Sequence, residues 1–172
     1  MQCSLRCDHC RMKMLAALHS ADSPEKFLAL AERLHGQGCR GMLLTGGCDR
    51  DGTIPLIPFV DAAAEARRRF GFRYAVHTKL VTEGFARAAA AIGVDLLMTD
   101  VVGEDDSLRE IYHLQGRTVG DVEASLDFAG AQGLSLAPHI MIGIARGKVV
   151  GEYRAIDLLK GRRVAVLCLV VL

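Results

Sequence analysis

Neither sign of charge prevails in this chain: 21 lysines and arginines stand against 20 aspartates and glutamates, a formal net charge of +1. That balance excludes the basic footprint of a nucleic-acid binder or a membrane-surface protein and points to a small, neutral partner. Membrane-length apolar segments are also missing. The run 164–172 has nine residues where a helix needs roughly 20 to cross a bilayer, so it is expected to be a buried strand. No apolar segment follows a basic one at the N-terminus, so no secretory signal or membrane anchor is read there and a cytoplasmic address is expected. A disulfide framework is missing too. Of six cysteines, three crowd together at the start and three are scattered, a pattern that suits a metal site in a reducing compartment.

What the chain does have is apolar mass, 51% of its 172 residues, enough to build the core of a single domain spanning 1–172. Short aliphatic or β-branched runs alternate with longer stretches of helical spacing, the pattern of repeated β/α units. Strands are expected at 41–45, 73–78, 95–99, 135–142 and 164–170. Most are apolar on both faces, as in a parallel sheet covered by helices. Ser23 as N-cap, Pro24 in the first turn and the apolar series Phe27, Leu30, Ala31 and Leu34 predict one helix. Others are expected at 59–70, from a Thr82 cap to Ile92, from a Thr118 cap to Ala131, and at 152–159. The acidic stretch 104–110 reads as a solvated loop with a short helical turn, and Arg67, Arg68 and Arg69 as the outer surface of a helix. No strand precedes the first cysteine, and the last residues lie inside a strand. The chain is therefore expected to be a piece of a longer protein, cut at both ends.

In β/α barrels the chemistry gathers at the C-terminal ends of the strands, and the unusual residues of this chain fall there. Gly46, Gly47 and Cys48 follow the first strand, His77 and Lys79 close the second, Asp100 the third, and Gly143 follows the fourth. His77 and Asp100 are the candidate catalytic residues, with Lys79 and His139 behind them.

Ahead of the first helix, Cys3, Cys7 and Cys10 are separated by three residues and then two. One loop of that spacing can wrap three corners of an iron–sulfur cubane and leave its fourth iron open to an outside ligand. Zinc is the competing reading, with His9, His19 or His35 as fourth ligand. A redox disulfide between Cys7 and Cys10 is another, though it leaves Cys3 unexplained.

The CxxxCxxC spacing resembles that of the radical S-adenosylmethionine (SAM) superfamily. The resemblance implies a partial TIM-type (β/α)6 barrel, here without its first strand, and a [4Fe–4S] cluster on Cys3, Cys7 and Cys10. In that family the open iron chelates the amino and carboxylate groups of SAM. One-electron reduction then releases a 5′-deoxyadenosyl radical that abstracts hydrogen. The remaining contacts to SAM are implied at His9, at Gly46, Gly47 and Cys48, and at Ile142 and Gly143. Cys48 stands where the family usually has Glu.

The phrases Gly46-Gly47-Cys48-Asp49, Val76-His77-Thr78, and Pro138-His139-Ile140 with Gly143 and Gly151-Glu152-Tyr153 are similar to the biotin-synthase-like branch. They are most similar to the two-component lipoyl synthases of archaea and some bacteria. Lys79 departs from that pattern, which has a small residue after His-Thr. This implies sulfur insertion into a protein-bound octanoyl chain. It also implies a ferredoxin or flavodoxin as electron donor, a paralogous second subunit, an octanoylated carrier protein, and an auxiliary iron–sulfur cluster outside this chain. Other radical chemistry, such as rearrangement or methylation, and a zinc-stabilised binding module without enzymatic activity stay open.

Overall fold

The computed structural model describes residues 2–172. Its strands are β1 (Gly41–Leu44), β2 (Arg73–Thr78), β3 (Leu96–Thr99), β4 (His139–Ile142) and β5 (Cys168–Val171). Its helices are α1 (Pro24–Gly36), α2 (Val60–Phe70), α3 (Glu83–Ile92), α4 (Asp105–Glu110), α5 (Val119–Ala131) and α6 (Glu152–Leu158). Every strand pairing is parallel, in the order β1-β2-β3 and β4-β5. Single bridges from Leu97 to Leu136 and from Asp100 to His139 join the two groups. The strands therefore neighbour one another in chain order, with helices in the crossovers, as β/α units require.

Local chemistry explains the element ends. The Ser23 hydroxyl accepts from the Lys26 amide at the start of α1, and the Thr82 hydroxyl from the Phe85 amide at the start of α3. Thr118 and Asp121 cap α5 reciprocally, each supplying an acceptor to an amide that the helix leaves free.

Three expectations need correction. The strand expected at 135–142 is regular only from His139, because Pro138 has no amide to give to the ladder. The last strand begins at Cys168 rather than at residue 164, and it is not buried: Leu169 is 55% and Val171 79% exposed. Among the described residues β5 has a strand neighbour on one edge only. The acidic stretch, finally, is a true helix, α4, and Asp105 accepts the Val119 amide at 2.7 Å, tying α4 to the start of α5.

Alternation along the strands sets the positions of the functional groups. Tyr74, Val76 and Thr78 of β2 are buried under the helices, and the Tyr74 hydroxyl donates to the Ala63 carbonyl of α2 at 3.0 Å. With a side-chain period of two, Ala75, His77 and Lys79 point to the opposite, inner face. Asp100 and His139 share that face through their mutual bridge. Among the described residues no helix is long and apolar enough to cross a membrane.

Arg67 is not a plain surface residue. Its guanidinium holds Asp95 with two hydrogen bonds, at 2.7 and 3.3 Å, and Asp95 also accepts the Tyr74 amide at 2.8 Å. The Arg67 hydrogen bond, helped by that amide, holds the Asp95 carboxyl down at about 2. An unfolded aspartate titrates near 3.9, so this pair contributes about 2 kcal/mol above pH ~4, which is lost as pH falls through ~2. Asp95→Asn is expected to lower stability at pH 7 by about that amount and to converge with the parent near pH 2. Urea melts across this range test it, and equal acid sensitivity in both proteins would contradict it.

Candidate functional site

The cysteine loop is docked onto the C-terminal edge of the sheet at two places. The Ser4 amide donates to the Cys48 carbonyl at 2.8 Å, and the Asp8 amide to the Ile111 carbonyl at 2.9 Å. Leu5 and Cys7 are buried, with Cys3 and Cys10 partly so. Gly47 makes the first docking possible. A Cβ built there would stand 1.8 Å from the Gln2 carbonyl oxygen and 2.9 Å from Cys3 Cα, so the two backbones meet where only glycine fits.

The donor set suits a metal cluster. All six cysteines are free thiols, so the Cys7–Cys10 disulfide is not formed. Cys7 Sγ has one polar partner, the Tyr112 carbonyl at 3.4 Å, and burial pushes this thiol up to about 12. A thiol held protonated in this way becomes a ligand only when a metal displaces its proton. His9 lies within 4.8 Å of the Cys7 and Cys10 sulfurs, and Cys3 stands outside that tight group. Both His9 ring nitrogens are buried without a partner, and the ring leans on Tyr112 at 4.7 Å. Burial lowers the pKa of His9, so the imidazole is neutral and ready to meet a ligand. His19 is exposed and His35 stacks on Phe70 at 5.1 Å, so neither joins the thiols. Cys48 is buried beneath the loop, its thiol also pushed up to about 12 by burial.

On the inner face beside the loop lies a second polar group. Asp100, 3% exposed, accepts from Lys79 Nζ at 2.6 Å through Oδ2 and faces His77 Nε2 at 3.2 Å through Oδ1. His139 Nδ1 lies 3.7 Å from the same Oδ1, and its ring stacks on His77 at 5.1 Å. Burial alone would push the Asp100 carboxyl up, but Lys79 and His77 outweigh it and hold it far below the usual range. Burial likewise works against the Lys79 ammonium, and Asp100 overrides it. His139 is pushed down by burial and stays neutral. The structure thus brings together His77 and Asp100, the two catalytic candidates, with Lys79 and His139.

Two participants were not expected from sequence. Tyr112, fully buried, follows α4; its hydroxyl lies in the field of the Asp100 carboxylate but completes no hydrogen bond, and Lys79 Nζ sits 5.6 Å from its ring centre. Glu152, at the start of α6, accepts the Gly143 amide at 2.8 Å and the Val150 amide at 2.8 Å. It fixes the turn after β4, where Gly143 takes a left-handed conformation, φ 80°. An isolated Tyr or Glu carries no spacing signal; the Gly151-Glu152-Tyr153 phrase hinted at Glu152, and nothing in the sequence pointed to Tyr112.

Two outcomes follow from this geometry. Lys79→Met leaves the Asp100 charge buried and without its cation, and is expected to cost about 3–5 kcal/mol in urea unfolding, much of it recovered when Asp100→Asn is added. A single variant as stable as the parent would refute the pairing. Gly47→Ala is expected to keep the circular dichroism of the fold and to lose iron and sulfide uptake. Full uptake by this variant would show that the loop docks elsewhere.

Comparison with known proteins agrees with this geometry. No curated protein matches the chain at the sequence level. Among solved structures, methylornithine synthase (PylB) superposes with a TM-score of 0.66 at 17% identity, over 99% of this chain and 49% of that one. SuiB of Streptococcus suis bound to S-adenosylmethionine gives 0.69 at 11% identity, over 99% and 37%. The structure described as native anSMEcpe with bound AdoMet gives 0.64 at 16%, over 99% and 48%. These likenesses show a shared fold, and the chain spans half or less of the length of each. The family model of the Radical SAM superfamily matches residues 2–146, a stretch that includes the cysteine loop, the Gly47 docking site and the Asp100 group. The chain belongs to the Radical SAM superfamily, whose cofactors are a [4Fe–4S] cluster and S-adenosylmethionine.

Proposed function

We propose that this chain is the SAM-cleaving core of a radical enzyme that abstracts hydrogen from a substrate bound over the inner face of its sheet. The observation that carries this reading is the docking of the cysteine loop. Backbone contact with Cys48 and Ile111 aims it at the strand ends, beside the Asp100 group. Cys3, Cys7 and Cys10 hold the cluster. When bound, the reduced cluster supplies one electron to the SAM sulfonium, giving methionine and the 5′-deoxyadenosyl radical.

The chain's own residues bind and orient. The backbone of Gly46, Gly47 and Cys48 receives the methionine end of SAM. His9, neutral and without a polar partner, offers its ring nitrogens to the adenine side. Ile142 and Gly143, held by Glu152, form the opposite wall. His77 and Asp100 face the substrate. The balanced charge fits a small-molecule or carrier-bound substrate met in the cytoplasm, with ferredoxin or flavodoxin as reductant.

The finer reading is sulfur insertion into an octanoylated carrier, together with a paralogous second subunit and an auxiliary cluster. It is supported by the phrase Pro138-His139-Ile140 with Gly143 and Gly151-Glu152-Tyr153, in which Glu152 accepts the Gly143 amide.

The test is anaerobic reconstitution with iron and sulfide, then dithionite and SAM. Broad visible charge-transfer absorbance and release of 5′-deoxyadenosine are expected, and Cys7→Ala abolishes both. Bound zinc without 5′-deoxyadenosine would establish the binding-module reading instead. For the finer reading, the protein with its second subunit is incubated with octanoylated carrier and the carrier weighed by mass spectrometry. An unchanged carrier despite SAM cleavage overturns sulfur insertion alone.

A further inference from the structure

The group formed by His77, Asp100 and His139 has a geometry that hydrogen bonding does not fully explain. Two imidazoles from β2 and β4 converge on one oxygen of a buried carboxylate at the end of β3. His77 Nε2 is 3.2 Å from Asp100 Oδ1, and His139 Nδ1 is 3.7 Å from the same atom, beyond hydrogen-bond range. One ligand atom from each of the three residues lies within 4.8 Å of the other two. Metal–ligand bonds of about 2.1 Å at the tetrahedral angle put neighbouring ligand atoms roughly 3.4 Å apart, a value that falls between the two measured spacings.

We propose that His77, Asp100 and His139 bind a divalent first-row transition metal, zinc or ferrous iron, distinct from the cluster on Cys3, Cys7 and Cys10. Two imidazoles and one carboxylate are a set that such ions favour. The second carboxylate oxygen is already held by Lys79 at 2.6 Å, the outer hydrogen bond that orients a ligating carboxylate. The ends of β2 and β3 and the start of β4 supply all three ligands, on the inner face of the sheet. An ion held by three protein ligands keeps a place for water or a substrate oxygen, so this site would position or polarise an oxygen-bearing group of the substrate. Cys168, opposite His139 in the strand register, stands outside the group and serves as a control.

The test separates this metal from the cluster. In the full chain carrying Cys3→Ala, Cys7→Ala and Cys10→Ala, which cannot hold the cluster, titration with cobalt(II) is expected to give visible ligand-field bands saturating at one equivalent. Cys168→Ala added to this background is expected to leave them unchanged, and His77→Gln or His139→Gln to weaken binding at least 100-fold. Because Cys7 is part of the core, the unmodified chain is measured as well. After reconstitution with iron, sulfide and zinc it should contain one metal ion beyond the cluster iron, and His139→Gln should remove that ion while cluster absorbance is retained. A reconstituted chain with cluster iron alone overturns the proposal, as does an extra ion that persists in His139→Gln. Neither readout depends on SAM cleavage, so failure here is distinguishable from failure of the radical reading.

Discussion

The Asp100 carboxylate is the constraint around which the inner face is arranged. Buried at the end of β3, it carries a charge that the interior tolerates only if the surroundings answer it, and they do so from two neighbouring strands. Lys79 and His77 come from the end of β2, and His139 from β4. Each reaches the carboxylate because parallel pairing keeps the register and alternation keeps the face. Shifting β2 by one residue would send His77 and Lys79 under the helices and bring Tyr74 and Val76 to the inner face. The buried ion pair thus selects the register that builds the site.

Tyr112 stands between this polar group and the cysteine loop. Its backbone carbonyl accepts from Cys7, its ring carries His9, and its hydroxyl lies near Asp100. It reaches that position because α4 ends just before it, and α4 is in turn fixed to α5 by Asp105. A short helix with no thiol and no cofactor motif therefore seats both the cysteine loop, through the Ile111 carbonyl, and the aromatic ring against it. The cysteine loop and the ring beside Asp100 thus share one support.

Much of this was legible in the sequence, for reasons particular to each element. Helix starts at Ser23, Thr82 and Thr118 carry cap chemistry that acts over three residues, so local pattern suffices. The cysteine loop is equally local. The strand ends were readable from apolar runs closed by His77, Asp100 and Gly143, but the convergence of His77 and His139 on Asp100 was not, since it depends on how three strands align. Illegible for the same reason were the place of Tyr112 and the pairing of Arg67 with Asp95, contacts made between separate elements. The last strand differs from its expectation because apolar composition does not say which elements pack on a strand: among the described residues β5 pairs with β4 alone and Val171 is 79% exposed.

The polarity of the inner face constrains what lies on it. Two imidazoles, an ammonium and a carboxylate crowd this face, and polar groups buried in this way are costly unless every one of them keeps a partner. Here the partners are internal: Lys79 and His77 already answer Asp100, so the charges close on each other. His139 Nδ1, 3.7 Å from the same carboxylate, is the group left beyond hydrogen-bond range, and it is there that the polar cluster has a contact still to complete.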